Sequence, residues 1–591
     1  MKNKRTSKMH GERKNAQIDP QTADASAEQQ TKAAHEQIIT RRGFLRTAGV
    51  AAAGVVAVAC APAAVPAAPA AVPATAVPEI APTAAPVEAA PAATAPPVFV
   101  DSKAGGDVIW AISQDPTSLV PFGGIATANH WGKEFMYDSL IQWDKDLNVK
   151  DALAEKWEAP DEKTWVFTLK KGVKFHDGTE VTADAVKYSI EMQAAPPDPG
   201  VRLGQYPAID TVEIIDPYTI KLNMKKADPT VIGWFAWSRY SSIVPVDMYK
   251  KVNPLIQGIG TGPFELVEYI QNDKVVYKRN TAFWREGEPH FNNLTLKVLP
   301  DEQAAVAALR AGEIHGVTVS PDTARTLAGD PNIVVNKGLF SSPNQLQLTI
   351  KGDGKPWNNK QVRQAMNKVI DRQEIIDKVF AGEAIMSGPV PPGYGDWFIT
   401  PEELASTFYK VDVEGAKKLM ADAGFEKGFD ITLYSIAKPP ATTQIAEIIK
   451  EQFKQININV TVQAEEIGPF AKRNGEGNFD FCSTARGMRH DISGYINEYG
   501  RPQTGSAANW FNKGEGWSNP ECSELYEALV STADIEKRHQ QARRIQEIAL
   551  DEFPHFTLCQ AYKFQAVRKE VQDMYVDFTD FNRGLRTAWL G

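Results

Sequence analysis

Residues Asp151 to Ile190 read DALAEKWEAPDEKTWVFTLKKGVKFHDGTEVTADAVKYSI, and this stretch carries the strongest evidence about the fold of the chain. Thr164–Leu169 alternates apolar and polar side chains, a period of two that predicts a β-strand. A turn at Gly172 and a second short strand at Val173–Phe175 are expected next, and Thr182 predicts the N-terminal cap of a helix. The stretch holds no arrangement for bond-breaking chemistry, so its information concerns architecture.

The composition is typical of a large globular protein. The chain has 591 residues, 43% hydrophobic and 23% charged, and this length predicts two or three domains. A net charge of -9 offers no basic surface for nucleic acid, so no nucleic-acid partner is expected. After the N-terminal region, no apolar run reaches the roughly 18 residues of a membrane span. We therefore expect a folded body without membrane spans.

The N-terminal segment, residues 1–60, predicts a disordered start followed by an export signal. Arg41 and Arg42 precede a short apolar run, as in a twin-arginine signal. Cys60 follows that run directly, as does the lipobox cysteine that becomes diacylated. Ala57-Val58-Ala59 also fits an ordinary A-x-A cleavage site, so both kinds of processing stay open.

A linker rich in Ala, Pro, Val and Thr occupies residues 61–100. Proline at this density favours extended polyproline II, in which each residue adds about 3.1 Å, for a reach on the order of 100 Å. A spacer of this length would hold a domain clear of a membrane while keeping it tethered. The linker therefore favours lipid attachment at Cys60, with the body on the outer face of the cytoplasmic membrane.

Two further blocks predict regular structure. After a glycine cluster, GPFELVEYIQNDKVVYKRN predicts strands at Phe264–Tyr269 and Lys274–Arg279. A strand rather than a helix follows those glycines, so they do not form a phosphate-binding loop. DEQAAVAALRAG predicts a helix that ends at Gly312.

The second part of the chain alternates helices and strands. Asn359 and Asp371 predict the caps of two successive helices, and Pro554 precedes a predicted strand at Phe556–Tyr562. Helices that alternate with strands are typical of an α/β architecture.

With these blocks in order, residues 101–591 resemble the family 5 extracellular solute-binding proteins, the dipeptide- and oligopeptide-type receptors of ABC importers. The resemblance implies an α/β, two-lobed periplasmic-binding-protein fold of type II with an extra subdomain in lobe I. It implies lobe I at 101–132, 259–340 and 562–591, the extra subdomain at 133–258 and lobe II at 341–561. The strand at Phe556–Tyr562 would then form part of the hinge.

The resemblance also implies a monomeric receptor without cofactor or metal, which delivers a peptide or similarly sized polar solute to the permease subunits of an ABC transporter. The implied ligand-binding residues are Ser113, Gln114, Arg486, Arg489, Asp491, Trp510 and Phe511. Asp491 matches one aspartate of a W-x-x-D-Y-x-D-P-like segment of the family, but the Trp, Tyr and Pro are missing and arginines surround it. Such a site would suit an acidic ligand. A surface Arg–Asp pair is the alternative.

Signs of catalysis are missing from the sequence. It contains no H-E-x-x-H motif and no G-x-S-x-G elbow, so we expect no enzyme. Cys482, Cys522 and Cys559 match no zinc pattern and allow at most one disulfide. An exported hydrolase and a solute receptor for a signalling protein remain the alternative functions. The sequence leaves open whether the ligand is a peptide, sugar, opine or metal complex.

Overall fold

The computed structural model describes most of the chain beyond the predicted linker. The described residues are 103–121, 127–194, 208–253, 256–350, 354–438, 440–489, 491–501, 516–579 and 582–591. They belong to one compact unit, Pro96–Gly591. Five residues of the sequence predictions lie outside the described residues: Arg41, Arg42, Cys60, Trp510 and Phe511.

The described chain contains both strands and helices. The strands are β1 (Asp107–Ile112), β2 (Ile141–Trp143), β3 (Val149–Asp151), β4 (Ala154–Asp161), β5 (Thr164–Leu169), β6 (Ile209–Asp216), β7 (Thr219–Met224), β8 (Phe264–Ile270), β9 (Lys274–Arg279), β10 (Asn293–Val298), β11 (Gly316–Val319), β12 (Ile333–Leu348), β13 (Ala384–Met386), β14 (Phe429–Ile436), β15 (Ile458–Glu465), β16 (Phe481–Ala485), β17 (Phe556–Arg568), β18 (Val571–Gln572) and β19 (Trp589–Leu590).

The helices are α1 (Thr127–Lys133), α2 (Ala183–Ala194), α3 (Val231–Phe235), α4 (Ser238–Ser241), α5 (Met248–Lys251), α6 (Glu302–Ala311), α7 (Pro321–Leu327), α8 (Lys360–Val369), α9 (Arg372–Phe380), α10 (Pro401–Glu403), α11 (Val413–Asp422), α12 (Ala441–Phe453), α13 (Ile467–Glu476), α14 (Ser493–Gly500), α15 (Pro520–Leu529) and α16 (Ile535–Glu552). A π-helical turn covers Leu404–Phe408, and 3₁₀ turns cover Pro356–Asn358, Lys454–Ile456 and Arg583–Arg586.

One mixed sheet of 11 strands runs through the described part of the unit, in the order β15-β14-β16-β12-β17-β11-β1-β10-β9-β8, with β13 also on β17. β1 pairs in parallel with β10 and β11, and β14 pairs in parallel with β15 and β16. The other neighbours are antiparallel. Parallel neighbours need a crossover, which α12 supplies between β14 and β15. The α/β class expected from the sequence is confirmed.

Two long strands, β12 and β17, connect the halves of this sheet. The half that contains β1 and β8–β11 borders β17, and the half that contains β14–β16 borders β12. β12 has 16 residues, β17 has 13, and they pair antiparallel. Their register shifts between Leu339 and Pro343 and again between Pro343 and Gln345. Because proline has no N–H to donate, the ladder is interrupted there.

Residues 151–190 supply β4 and β5 of a separate four-stranded antiparallel sheet, whose strand order is β4-β5-β7-β6. β5 spans Thr164–Leu169 as predicted, with Phe167 and Leu169 buried. The helix expected after Thr182 is also present as α2. This sheet and α2 contribute to one apolar core, so the stretch is part of the scaffold.

The strand predicted at Val173–Phe175 is wrong. The structure has a single bridge there, between Lys174 and Glu180. The chain already turns at Gly178, whose backbone φ is +83° and whose N–H donates to the Phe175 carbonyl oxygen. A turn so close to the bridge leaves too few residues to extend a ladder.

His176 joins the two sequence blocks that carried most of the resemblance. One ring nitrogen, Nε2, lies 3.0 Å from the Gly262 carbonyl oxygen, and the Gly260 N–H donates to Nδ1 over 3.4 Å. Gly262 itself must lack a side chain, because a Cβ there would lie 2.5 Å from the Phe135 carbonyl oxygen. The ring of His176 therefore has a structural role, because both of its nitrogens contact the glycine segment.

The C-terminal segment is held to the body by buried charges. Arg586 pairs with Asp138 and also donates to the Glu134 carbonyl oxygen over 3.1 Å, while Arg583 Nε lies 3.2 Å from Glu134 Oε1. Burial pushes the pKa of Asp138 upward, but Arg586 and a hydrogen bond from Trp284 bring it below its ordinary value. The C-terminal residues thus complete the core of the half of the large sheet that contains β1 and β8–β11.

Three absences can be stated for the residues that the structure describes. No helix among them is long and apolar enough to cross a membrane. No group of three His, Cys, Asp or Glu side chains is placed to hold a metal ion. Cys482, Cys522 and Cys559 are buried free thiols, so the disulfide that the sequence allowed is not formed among them.

Candidate functional site

Two cavities lie along the connecting strands, one on each half of the large sheet. The first, cavity A, has a volume of about 430 Å³ and is lined by Ser113, Trp131, Phe340, Tyr562 and Lys563 among others. Ser113 follows the last residue of β1. The carboxyl ends of parallel strands are the usual place for ligands in α/β sheets, because loops diverge there. Gln114, also predicted for the site, is exposed next to Ser113 but does not line cavity A.

Cavity B, on the other half of the sheet, also has a volume of about 430 Å³. Its walls come from β12, the end of β14, most of the length of α13, the end of β16 and the segment that follows it. The residues in them are Gln345, Gln347, Ile436, Ile467, Phe470, Ala471, Asn474, Gly475, Thr484, Ala485, Arg486, Gly487 and Arg489. Two of the sequence-predicted site residues, Arg486 and Arg489, are therefore brought together in one cavity.

Arg486 already has partners within the protein. Its guanidinium pairs with the carboxylate of Glu498 on α14, and both side chains are buried. It also donates to the carbonyl oxygens of Gly494 and Tyr495, each over 3.2 Å. Burial raises the pKa of Glu498, and the nearby Arg486 and Arg489 act against that rise. Arg486 thus fixes the segment after β16 to α14.

Arg489 differs from Arg486 in its partners. Its backbone is held, because the Tyr394 hydroxyl donates to the Arg489 carbonyl oxygen over 2.8 Å. Its guanidinium makes no hydrogen bond and no ion pair with the described residues, and its Nε atom is buried. Burial, and then the charge of Arg486, lower the pKa of Arg489. A guanidinium keeps its charge in proteins, and the Glu498 carboxylate acts on this one in the opposite direction, raising its pKa.

Asp491 lies just beyond this segment, and its carboxylate has internal partners. It accepts the Ser493 N–H over 2.8 Å at the start of α14 and lies 3.3 Å from Arg538 of α16. The sequence allowed a surface Arg–Asp pair as the alternative, whereas the pair found here is mostly buried and joins Asp491 to an arginine 47 residues away. Asp491 does not line cavity A or cavity B.

Sequence reasoning missed two residues of cavity B, Gln345 and Gln347. They alternate with Leu346 and Leu348 on β12. Gln345 is only 1% exposed, and its Oε1 atom has no hydrogen-bond partner among the described residues. Gln347 Oε1 accepts from the thiol of Cys482 over 3.5 Å. The signal that could have indicated them is the presence of polar side chains at alternate positions of β12, in a part of the strand that is buried on both faces.

The small-sheet region and the second half of the large sheet make an ionic contact. Lys226, shortly after β7, has its Nζ atom 3.6 Å from Glu527 Oε2 on α15. Glu527 also accepts a hydrogen bond from Arg501 over 2.5 Å. All three side chains are substantially exposed, so this contact is weak and sensitive to salt.

Comparison with known proteins gives a consistent result over the folded unit. Residues 148–506 match the sequence family described as "Bacterial extracellular solute-binding proteins, family 5 Middle". The chain is 28% identical over 477 residues to the glutathione-binding protein GsiB of Salmonella choleraesuis, an alignment that covers 77% of this chain and 89% of the relative. The Escherichia coli K12 protein of the same name is 27% identical over the same shares.

Solved structures agree with the fold. The periplasmic binding protein AgaA from A. tumefaciens R10, in complex with agropinic acid, has a TM-score of 0.70 and 23% identity, covering 82% of this chain and 99% of that one. The ABC transporter-associated periplasmic binding protein DppA from Helicobacter pylori, in complex with the peptide STSA, has a TM-score of 0.70 and 23% identity, covering 83% and 98%. The two-lobed type II fold expected from the sequence is confirmed.

Proposed function

The chain belongs to family 5 of the bacterial extracellular solute-binding proteins, and we propose on this premise that it captures a peptide or similarly sized polar solute between two hinged lobes and delivers it to the permease of an ABC importer. The family match over residues 148–506 is the observation that carries the proposal. The glutathione-binding and peptide-bound relatives support a peptide-like solute. Membership also implies that the protein works outside the cytoplasm.

We assign the hinge to β12 and β17, between lobe I at 101–132, 259–340 and 562–591 and lobe II at 341–561. The extra subdomain of lobe I would be 133–258. The register shifts around Pro343 support this assignment, because an interrupted ladder bends more easily than a continuous one. A solute that contacts both lobes binds the closed state more tightly and so shifts the equilibrium toward closure.

We propose different roles for the predicted site residues. Ser113 and Arg489 are assigned to direct contact, because they line cavities A and B. Arg486 and Asp491 are assigned to holding the segment after β16, because their charged groups have internal partners. Gln114, Trp510 and Phe511 are retained as ligand-binding residues from the sequence resemblance.

We also propose that the protein is exported through its twin-arginine signal and anchored by a lipid on Cys60. The order of the signal, Cys60 and the proline-rich linker supports this, since a spacer serves an anchored domain. Replacement of Cys60 by Ala should release the protein from the membrane fraction while leaving its export intact. Replacement of both Arg41 and Arg42 by Lys should instead leave it in the cytoplasm. Unchanged membrane attachment of the Cys60→Ala variant would contradict the anchor.

Native mass spectrometry of the purified full chain tests the proposed function. A receptor that closes over its solute should retain a small molecule that is lost on unfolding, and adding that molecule to the refolded protein should change its tryptophan fluorescence without converting it. Turnover of the molecule that survives rigorous purification would contradict the proposed function and favour an exported hydrolase.

A further inference from the structure

A third cavity, cavity C, is distinct from the two cavities described above. Its volume is about 380 Å³, which is enough for a small molecule. Its walls come from β2, β3 and the turn between them, from the segment after β9 and from the C-terminal segment. The lining residues are Gln142, Trp143, Asp144, Lys145, Lys150, Asp151, Phe283, Arg285, Glu288, Tyr575, Arg583, Arg586 and Thr587. None of these described residues lines cavity A or cavity B, and none belongs to the segment 341–561 assigned to lobe II.

We propose that cavity C is a second ligand site, which takes a free amino acid with an apolar side chain. The carboxylate of the amino acid pairs with Arg285, its ammonium group pairs with Glu288, and its side chain packs among the aromatic rings of the wall. A ligand held there needs no closure of one lobe over the other, so the site is independent of the proposed function.

The charged side chains of cavity C carry the inference. Most of them are already in ion pairs, namely Asp144 with Lys150, Lys145 with Asp146, Asp151 with Lys170, Arg583 with Glu134 and Arg586 with Asp138. Arg285 and Glu288 also line the cavity, but neither forms an ion pair with any described residue. The walls therefore contain one cation and one carboxylate that the described part of the protein does not pair.

Arg285 and Glu288 act on each other electrostatically without forming an ion pair. Burial raises the pKa of Glu288, and the charges of Arg285 and Arg586 act against that rise. The Arg285 guanidinium is held by the Asp151 carbonyl oxygen, to which it donates over 3.3 Å, and by the ring of Trp284, whose centre is 4.8 Å away. Because opposite charges share the cavity without pairing, a zwitterion provides a partner for both and adds no net charge to the site.

The aromatic part of the wall favours an amino acid with an apolar side chain. Trp143 is 7% exposed, and its ring centre is 6.0 Å from that of Trp237. Phe283 and Tyr575 are half-buried and line the same cavity. Aromatic rings offer a large apolar contact area, which stabilises a hydrophobic side chain removed from water. The combination of this surface with one cation and one carboxylate matches an amino acid such as phenylalanine.

Titration calorimetry of the full chain with three probes tests the inference: L-phenylalanine, L-phenylalaninamide and N-acetyl-L-phenylalanine. The amide lacks the carboxylate, and the acetylated form lacks the ammonium group. L-Phenylalanine should bind, and each blocked form should bind about 10- to 100-fold more weakly, because one charged side chain of the cavity then has no partner. No saturable binding of L-phenylalanine, or equal affinity for all three probes, would overturn the inference.

Two substitutions assign the charges of the amino acid to individual side chains. Arg285→Gln should bind L-phenylalanine about 10- to 100-fold more weakly than the wild type and should no longer distinguish it from the amide. Glu288→Gln should show a similar loss and should no longer distinguish L-phenylalanine from the acetylated form. Wild-type selectivity in either variant would overturn the inference. If a variant does not fold, the ranking of the three probes by the wild type decides the question.

Glu286→Gln is the matched control for Glu288→Gln. Glu286 lies in the same segment, is exposed and does not line cavity C. Its replacement removes the same charge and should leave the affinity for L-phenylalanine unchanged, so equal losses from the two variants would overturn the inference. Arg489→Gln locates the amino acid, because Arg489 lines cavity B. Binding that is lost in Arg489→Gln but kept in Glu288→Gln would overturn the inference and leave the proposed function intact.

Discussion

Replacement of His555 by Gln should make the protein less sensitive to mild acid. His555 is buried at the start of the strand β17, where the Tyr499 hydroxyl lies 3.0 Å from its Nε2 atom. Glu498 Oε1 is 3.7 Å from the same atom. Burial, and then the charge of Arg486, lower the pKa of His555 from its ordinary 6.5 to about 3. The imidazole is therefore neutral in the folded protein at pH 5, whereas it is mostly protonated in the unfolded chain.

The size of the effect follows from linkage. The pKa of His555 is lower in the folded protein than in the unfolded chain, so protonation favours the unfolded chain. The free energy of unfolding is therefore fully retained above the unfolded-state pKa and falls as the pH drops from that value toward the folded-state pKa. At pH 5, with an unfolded pKa of about 6.5, His555 reduces the free energy of unfolding by about 2 kcal/mol, compared with about 0.2 kcal/mol at pH 7. The value at pH 5 changes little for any folded pKa below about 4.

Urea unfolding followed by tryptophan fluorescence at pH 7 and pH 5 measures this difference. The wild type should lose about 2 kcal/mol more of unfolding free energy than His555→Gln between the two pH values. Carboxylates that titrate in both proteins cancel in the comparison. His539→Gln, at a more exposed histidine stacked on Trp397, is the control for replacing a histidine elsewhere in the fold. Equal losses in the wild type and His555→Gln would refute the reasoning.

Three other substitutions test the scaffold and the closed state. Arg586→Met should lower the free energy of unfolding by about 3–5 kcal/mol, measured by urea titration, because it leaves Asp138 buried without its cation. Gly262→Ala should lower the thermal midpoint by several degrees, because its Cβ would meet the Phe135 carbonyl oxygen; Gly329→Ala, in open space, should not. Lys226→Glu should weaken solute binding by a few fold at low salt, because the new carboxylate repels Glu527. Lys226→Gln should weaken it less. Equal affinities of the wild type and Lys226→Glu for the solute would contradict the contact.

Sequence patterns correctly predicted strands and helices whose formation depends on residues within the strand or helix itself. β5 and β9 have the predicted bounds, and β8 extends one residue beyond them. α6 ends before Gly312, which has the left-handed conformation expected of a helix terminus. The family prediction was also confirmed, because several ordered blocks carried it together.

Contacts between distant segments could not be predicted in this way. The strand expected at Phe556–Tyr562 extends to Arg568, because the neighbouring strands β11 and β12 supply partners for the additional residues. Arg486 and Arg489 look alike in the sequence, yet of the two only Arg486 forms an ion pair with a buried carboxylate of the described residues, on the following helix. The buried acceptor of Gln345 likewise depends on β12 lying between β16 and β17. The sequence thus singled out Arg486 and Arg489, but it could not show which of them has a partner within the protein.

Small-angle X-ray scattering of the full chain, before and after adding the solute recovered by native mass spectrometry, tests the central claim most directly. Capture by two hinged lobes predicts a smaller radius of gyration in the presence of the solute and the same change when the refolded protein is reloaded. A radius of gyration that stays constant while the solute is bound at saturation would contradict the account.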